Sequence, residues 1–141
     1  MLEFIITAEI AFYFFFLMGL MIYMFKVRSK AVRDKRVSFK SFKSYTMETP
    51  EDLVILQNHY NNHFQIPLFY VAACVLAISL DTVSTLTVVL STLFIISRMI
   101  HTYVHLGSNK LLYRAYSFFF GVLTTGALFV DILVRSFIAN I

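Results

Sequence analysis

The sequence predicts an all-α integral membrane protein built as a four-helix bundle. The chain has 141 residues, of which 59% are apolar and 14% charged, whereas about a quarter of the residues of an average soluble domain are charged. A soluble chain of this length could not keep most of its 16 Phe and 8 Tyr out of water. A disordered chain is therefore excluded, and part of the folded surface is expected to face lipid.

Four apolar runs account for the predicted helices, since about 20 apolar residues cross a bilayer core as a helix. We expect spans at about residues 2–25, 53–80, 82–104 and 114–135, in one membrane domain that covers residues 1–141. The second span reaches the required length if its helix begins near Glu51, with Thr49 as N-cap and Pro50 in the first turn. Pro67 would then lie within this helix and kink it.

The distribution of basic residues predicts the orientation in the membrane. Eight of the 12 Lys and Arg residues lie in residues 26–49, which we interpret as a basic cytoplasmic loop that contacts anionic lipid head groups rather than nucleic acid. Arg98, Lys110 and Arg114 flank the third connection, and the turn around Asp81 has no basic residue. The positive-inside rule then places both termini outside the cytoplasm. Arg135 is the exception, and Asp131, four residues earlier, is predicted to pair with it.

Polar side chains follow helical spacing on three of the spans. They are Asn58, Asn61, Asn62 and Gln65 on the second span; Ser84, Thr87, Ser91, Arg98, His101, Thr102 and His105 on the third; and Arg114, Ser117, Gly121 and Thr125 on the fourth. If these faces pack together, the cationic groups and the amides meet near the cytoplasmic interface. Guanidinium groups bind carboxylates and amides bind peptide groups, so this pocket suits a small anionic peptide-like ligand.

Two other interpretations of these polar residues remain open. The hydroxyl side chains could simply join helices by hydrogen bonds. The pairs His59/His63 and His101/His105 have the i, i+4 spacing of metal ligands, but no Asp or Glu lies near them in the sequence, and the first pair points about 100° away from the Asn58/Asn62 face. We therefore predict no metal ligand and keep a His-based metal site as the lesser alternative.

Two strings of residues resemble one known family. They are Asn62-His63-Phe64-Gln65-Ile66-Pro67-Leu68-Phe69-Tyr70, and Arg98-x-x-His101-Thr102-x-x-His105-Leu106-Gly107 followed by Arg114. Both are similar to the MAPEG family, the membrane-associated proteins of eicosanoid and glutathione metabolism, and in particular to its small bacterial members. The resemblance implies a homotrimer in a bacterial inner membrane, with glutathione bound between protomers near the cytoplasmic side.

The same resemblance implies roles for particular residues. Arg114 matches the catalytic arginine that stabilises the glutathione thiolate, which would attack a lipophilic electrophile from the bilayer or reduce a peroxide. The residues expected to bind glutathione as co-substrate are Arg28, Asn58, Asn62, Gln65, Arg98, His101 and His105. Gln65 stands where family members usually carry Glu, and His105 where they often carry Tyr. These two differences favour the alternative, a non-catalytic membrane binding or scaffold protein.

Overall fold

The structure is a computed structural model that describes residues 1–44, 49–139 and 141. Its helices are α1 (Leu2–Arg33), α2 (Ser41–Ser44), α3 (Glu51–Asn62), α4 (Ile66–Ser79), α5 (Thr85–Leu106) and α6 (Leu111–Ala139). Four stretches are long and apolar enough to cross a membrane, namely Leu2–Arg33, Glu51–Ser79, Thr85–Leu106 and Leu111–Ala139. These results confirm the predicted all-α architecture with four spans.

The basic connection after the first span is more structured than the sequence predicted. α1 continues past the expected end of the span to Arg33, so the first part of the predicted loop is helical. Lys and Arg are good helix formers, and cations in the last turn interact favourably with the helix dipole. Buried Ala31, Val37 and Leu53 then join the end of α1 to α3. Residues 45–48 of the connection lie outside the described residues.

An exposed ion pair lies on the same side of the bundle as this apolar contact. Arg36 NH2 donates to Asp52 Oδ1 at 2.8 Å. The hydrogen bond, and the charge of the carboxylate, raise the pKa of Arg36 above its ordinary value. Both side chains are about half exposed, so solvent screens the pair and the buried apolar cluster is the stronger link.

The second span consists of two helices rather than one kinked helix. α3 begins at Glu51, as expected, but Pro50 precedes it and Thr49 does not cap it. α3 ends at Asn62, and α4 begins at Ile66 with Pro67 in its first turn. Proline has no N–H to donate to the carbonyl four residues earlier, so the helix breaks before Pro67. The prediction that Pro67 lies inside a continuous helix is wrong.

The bundle core joins all four spans. The rings of Tyr70 on α4 and Phe94 on α5 stack with centroids 4.0 Å apart, and Tyr13 of α1 contacts both edge-on. Ser84 and Thr87 form a capping box that starts α5. Large apolar side chains remain exposed on every span, among them Phe15, Phe69, Ile96, Leu123 and Phe137. An exposed apolar belt of this kind fits contact with lipid or with other copies of the chain.

Two acidic groups near the termini accept hydrogen bonds from hydroxyl groups of α5. Asp131 accepts a hydrogen bond from Thr87 Oγ1 at 2.8 Å and pairs with Arg135 Nε at 2.8 Å. This confirms the predicted Asp131–Arg135 pair. Glu9 of α1 accepts hydrogen bonds from Ser91 and Thr92 on α5. At this end of the bundle, therefore, the polar side chains of α5 join helices.

Candidate functional site

Arg98 is a buried structural cation in the protomer. Its side chain is 1% exposed, and its NH2 group donates to the carbonyl oxygens of Ser117 at 3.1 Å and Phe118 at 2.9 Å on α6. The guanidinium also lies over the rings of Phe94 and Phe118, at 5.2 and 5.3 Å from their centroids. These contacts satisfy the charge without a carboxylate, and they join α5 to α6.

The absence of a side chain at Gly121 makes room for Arg98. A Cβ atom at this position would lie 2.7 Å from Arg98 Cζ and 2.8 Å from Ser97 Oγ, closer than real Cβ atoms approach other atoms. The glycine therefore sets how closely α6 can approach the Arg98 side chain.

Four histidines form a buried cluster between α5 and the second span. His59 and His63 come from the end of α3 and the residue that follows it, and His101 and His105 from the last turns of α5. All four are at most 3% exposed. The i, i+4 spacing places each pair on one face of the chain, and packing turns the two faces toward each other.

Hydrogen bonds connect three of these rings in a row. His105 Nδ1 lies 3.0 Å from His59 Nδ1, and His59 Nε2 lies 3.2 Å from His63 Nε2. The row continues from His63 Nδ1 to the Tyr13 hydroxyl at 2.6 Å. The sequence does not indicate a role for Tyr13, because the pattern of residues along α1 does not show which of them faces α3.

Arg114 lies at the other end of this row, in the first turn of α6. Its NH1 group donates to His105 Nε2 at 3.1 Å and to Asn109 Oδ1 at 2.9 Å. Both contacts hold the side chain beside the turn between α5 and α6. Within the described residues, the hydrogen bonds of this guanidinium use NH1, so Nε and NH2 are available to a ligand.

Arg114 borders an open hollow of about 210 Å³. Asn62, Gln65 and His101 line its polar side, and Leu111, Ala115, Phe118 and Phe119 its apolar side. His101 faces inward, because its Nδ1 is 3.1 Å from the Arg114 carbonyl oxygen and 3.2 Å from Ser117 Oγ. The hollow thus places a cation, two amides and an apolar wall around one space.

A larger cavity of about 590 Å³ lies beside the end of α1. It is lined by Arg28, Phe42, Thr49, Leu53, Val54, Gln57, Asn58 and Asn61. Arg28 donates to Gln57 Oε1 and lies 5.0 Å from the centroid of the Phe42 ring, and Gln57 in turn donates to Asn61 at 2.7 Å. This volume is within the usual range for small-molecule sites.

The protomer distributes the predicted site residues over three places. Arg28 and Asn58 line the larger cavity, whereas Asn62, Gln65, His101 and Arg114 line the smaller hollow. Arg98 and His105 are buried between helices. The single shared pocket that the sequence predicted is therefore not enclosed by one copy of the described chain.

Fold and site together define a four-span integral membrane protein with a polar, cation-containing region where the second span, α5 and α6 meet. The MAPEG family model matches residues 10–134 of the chain. The protein belongs to the MAPEG family. Neither the curated proteins nor the solved structures give a match to the chain. Membership supports a role in glutathione-related transferase or peroxidase chemistry or in eicosanoid metabolism.

Proposed function

We propose that the protein is a membrane-embedded glutathione transferase or peroxidase that activates the glutathione thiol toward a lipophilic electrophile. The observation that carries this proposal is the position of Arg114. Its guanidinium is held by His105 and Asn109 at the edge of an open hollow that also presents two amides and an apolar wall. Family membership adds support for glutathione as the co-substrate.

The chemistry follows from the fixed charge of Arg114. An ordinary thiol has a pKa near 8.5, and a nearby guanidinium favours its thiolate form at neutral pH. The thiol proton leaves to water, and the thiolate attacks the electrophilic carbon, forming a C–S bond while the leaving group departs with its electron pair. The apolar wall formed by Leu111, Phe118 and Phe119 would hold the electrophile as it arrives from the bilayer.

We further propose that the binding site is completed between protomers of a homotrimer. In one chain the Arg28/Asn58 cavity and the Arg114 hollow are separate, and neither alone contains all the predicted glutathione contacts. MAPEG proteins are generally oligomeric. One glutathione molecule would then contact two protomers, with a carboxylate at Arg28 of one protomer and its sulfur at Arg114 of the next. Native mass measurement in detergent should then show three copies.

The charge distribution supports an orientation with this site at the cytoplasmic face of a bacterial inner membrane. Eleven of the 12 basic residues lie in the last turns of α1, in the connection from α1 to α3, in the second half of α5 or around the turn into α6. The positive-inside rule places these segments at the cytoplasmic side. Both termini would then lie outside. Reporter fusions at the two termini test this orientation, and a cytoplasmic signal from either one contradicts it.

The decisive experiment compares Arg114→Ala with Lys110→Ala. Lys110 is an exposed cation just before α6 that lies 6.0 Å from the centroid of the Tyr113 ring, so its removal changes net charge equally but leaves the hollow intact. Removing Arg114 should lower the rate of conjugation of a model electrophile by about 100-fold or more, with a smaller loss of glutathione affinity. Equal rates in both variants contradict the mechanism.

One observation favours the alternative, a non-catalytic binding or scaffold protein. Among the described residues, no carboxylate lines either cavity, so the ammonium group of glutathione lacks an acidic partner there. Calorimetric titration of the detergent-solubilised protein separates the two functions. The absence of heat at up to millimolar glutathione supports the scaffold, and heat of binding together with conjugation of a model electrophile supports the enzyme.

A further inference from the structure

We propose that His59, His101 and His105 form a binding site for a divalent transition-metal ion such as Zn²⁺, with His63 and Tyr13 orienting His59. One ring nitrogen from each of the three ligands lies within 4.8 Å of the other two. All three rings are at most 2% exposed. This proposal does not depend on glutathione chemistry and goes beyond the function proposed above.

The separations suit a metal ion after small side-chain movements. Zn–N bonds are about 2.0–2.1 Å long, so two nitrogens bound to one tetrahedral ion lie about 3.3 Å apart. His59 Nδ1 and His105 Nδ1 are already 3.0 Å apart. The most distant pair, at up to 4.8 Å, needs to approach by about 1.5 Å, which rotation of the rings can supply.

One ring nitrogen of His101 has no hydrogen-bond partner among the described residues although it is buried. Its Nε2 atom is buried and has no hydrogen-bond partner. Its Nδ1 atom lies 3.1 Å from the backbone carbonyl oxygen of Arg114, so Nδ1 carries the proton and donates it to that oxygen. The lone pair is then on Nε2. A histidine that donates from one nitrogen to a carbonyl and leaves the other free is typical of a metal ligand.

His59 has the support of a second layer of hydrogen bonds. If its Nδ1 binds the ion, its proton is on Nε2, which donates to His63 Nε2 at 3.2 Å. His63 must then carry its own proton on Nδ1, from which it donates to the Tyr13 hydroxyl oxygen at 2.6 Å. The imidazole N–H groups of His59 and His63 thus each meet an acceptor. The row therefore orients the His59 ring and selects the tautomer that can bind a metal.

His105 connects this site to Arg114 in a way that can be tested. A guanidinium only donates hydrogen bonds, so a neutral His105 that accepts from Arg114 NH1 at 3.1 Å carries its proton on Nδ1, which faces His59. Metal binding must displace that proton to Nε2, and the contact with Arg114 is then lost. The ion and Arg114 consequently compete for His105.

The ligand set indicates which ions fit. Three neutral imidazoles suit Zn²⁺, Co²⁺, Ni²⁺ or Cu²⁺ and do not suit Mg²⁺ or Ca²⁺, which prefer oxygen ligands. Arg98 and Arg114 lie close by, and no carboxylate is in the three-histidine group. A fourth position filled by an anion such as hydroxide would lower the net charge of the metal and its ligands from +2 to +1.

The test uses the full chain, purified in detergent without a polyhistidine tag, freed of metal with a chelator and titrated with Co²⁺. We expect one Co²⁺ per chain and the intense visible absorption of four-coordinate Co²⁺, which Zn²⁺ should abolish by displacement. His101→Gln should weaken binding by about 100-fold or more, and His63→Gln, which removes only the orienting contact, by about 10-fold. Arg114→Ala should bind at least as tightly as the natural chain.

Three results would overturn the proposal. They are the absence of stoichiometric Co²⁺ binding by the natural chain, the spectrum of six-coordinate Co²⁺ in water, and unchanged binding in His101→Gln. The first two need no variant, so they remain informative even if a substitution prevents folding. Loss of conjugation with retention of Co²⁺ in Arg114→Ala would distinguish the metal site from the glutathione site.

Discussion

Replacing Gly121 by alanine tests whether Arg98 is held in the α5–α6 interface. The added Cβ atom would overlap the Arg98 guanidinium and lie 2.8 Å from Ser97 Oγ. The overlap with Ser97 Oγ pushes the two helices apart. The overlap with the guanidinium moves it away from the carbonyl oxygens of Ser117 and Phe118, which it binds at 3.1 and 2.9 Å. Both changes lower the free energy of unfolding.

The size of the effect follows from the contacts that are lost. One hydrogen bond from a charged donor contributes about 1.5–3 kcal/mol, and overpacking a well-filled interface costs about 1–3 kcal/mol. The higher helix propensity of alanine stabilises the folded state by about 1 kcal/mol and partly offsets these losses. We therefore expect Gly121→Ala to lower the free energy of unfolding by about 2–5 kcal/mol.

Gly126→Ala and Gly19→Ala are the matched controls. A Cβ atom at either position meets nothing within 4 Å in the protomer. Each control should leave stability unchanged or raise it by up to about 1 kcal/mol. Unfolding of all three variants is measured by circular dichroism during titration of mixed micelles with a denaturing detergent. If Gly121→Ala is as stable as the controls, the structural role assigned to Arg98 is wrong.

Three further substitutions test other contacts. Asn109→Gly removes the second partner of Arg114 and keeps a residue that tolerates the left-handed φ of 48° at this turn. It should slow conjugation by about 10-fold with little loss of stability, as steady-state rates and detergent unfolding will show. Asp131→Asn removes the charge that binds Thr87 and Arg135 and should lower the free energy of unfolding by about 1–3 kcal/mol. Its control is Asp81→Asn, at an exposed turn with φ of 52°. Asn also tolerates that φ, so this variant should be as stable as the natural chain. Tyr13→Phe should cost about 1 kcal/mol by leaving His63 Nδ1 unpaired, and equal stability to the natural chain would argue against that hydrogen bond.

Interactions within one helix were the most predictable contacts of the protein. Asp131 and Arg135 are four residues apart, and helix geometry alone brings their side chains together. The start of α3 at Glu51 and the number of spans likewise follow from local composition. By contrast, the prediction that Pro67 lies inside one kinked helix was wrong, because the sequence does not show whether a helix bends or breaks at a proline. In the structure the helix breaks, and residues 63–65 lie between two helices.

Contacts between helices were predictable only as lists of candidates. The sequence pattern predicts that Arg98 lies on a polar face and binds a ligand. Its carbonyl partners lie on α6, however, and only the fold shows that Gly121 leaves space for it. Helix geometry predicts the angle between the His59/His63 face and the Asn58/Asn62 face. It does not predict which helix the histidines contact, which in the structure is α5, with His101 and His105.

Composition and periodicity by themselves determined that this chain crosses a membrane four times as helices, and which residues share a face of each helix. Only the tertiary structure decided how each helix is rotated against its neighbours. The reason is that packing energy depends on the shapes of all the helices at once. The resulting rotation buries four histidines together and places Arg114 beside His105. A periodic pattern describes a single helix and contains no information on that rotation.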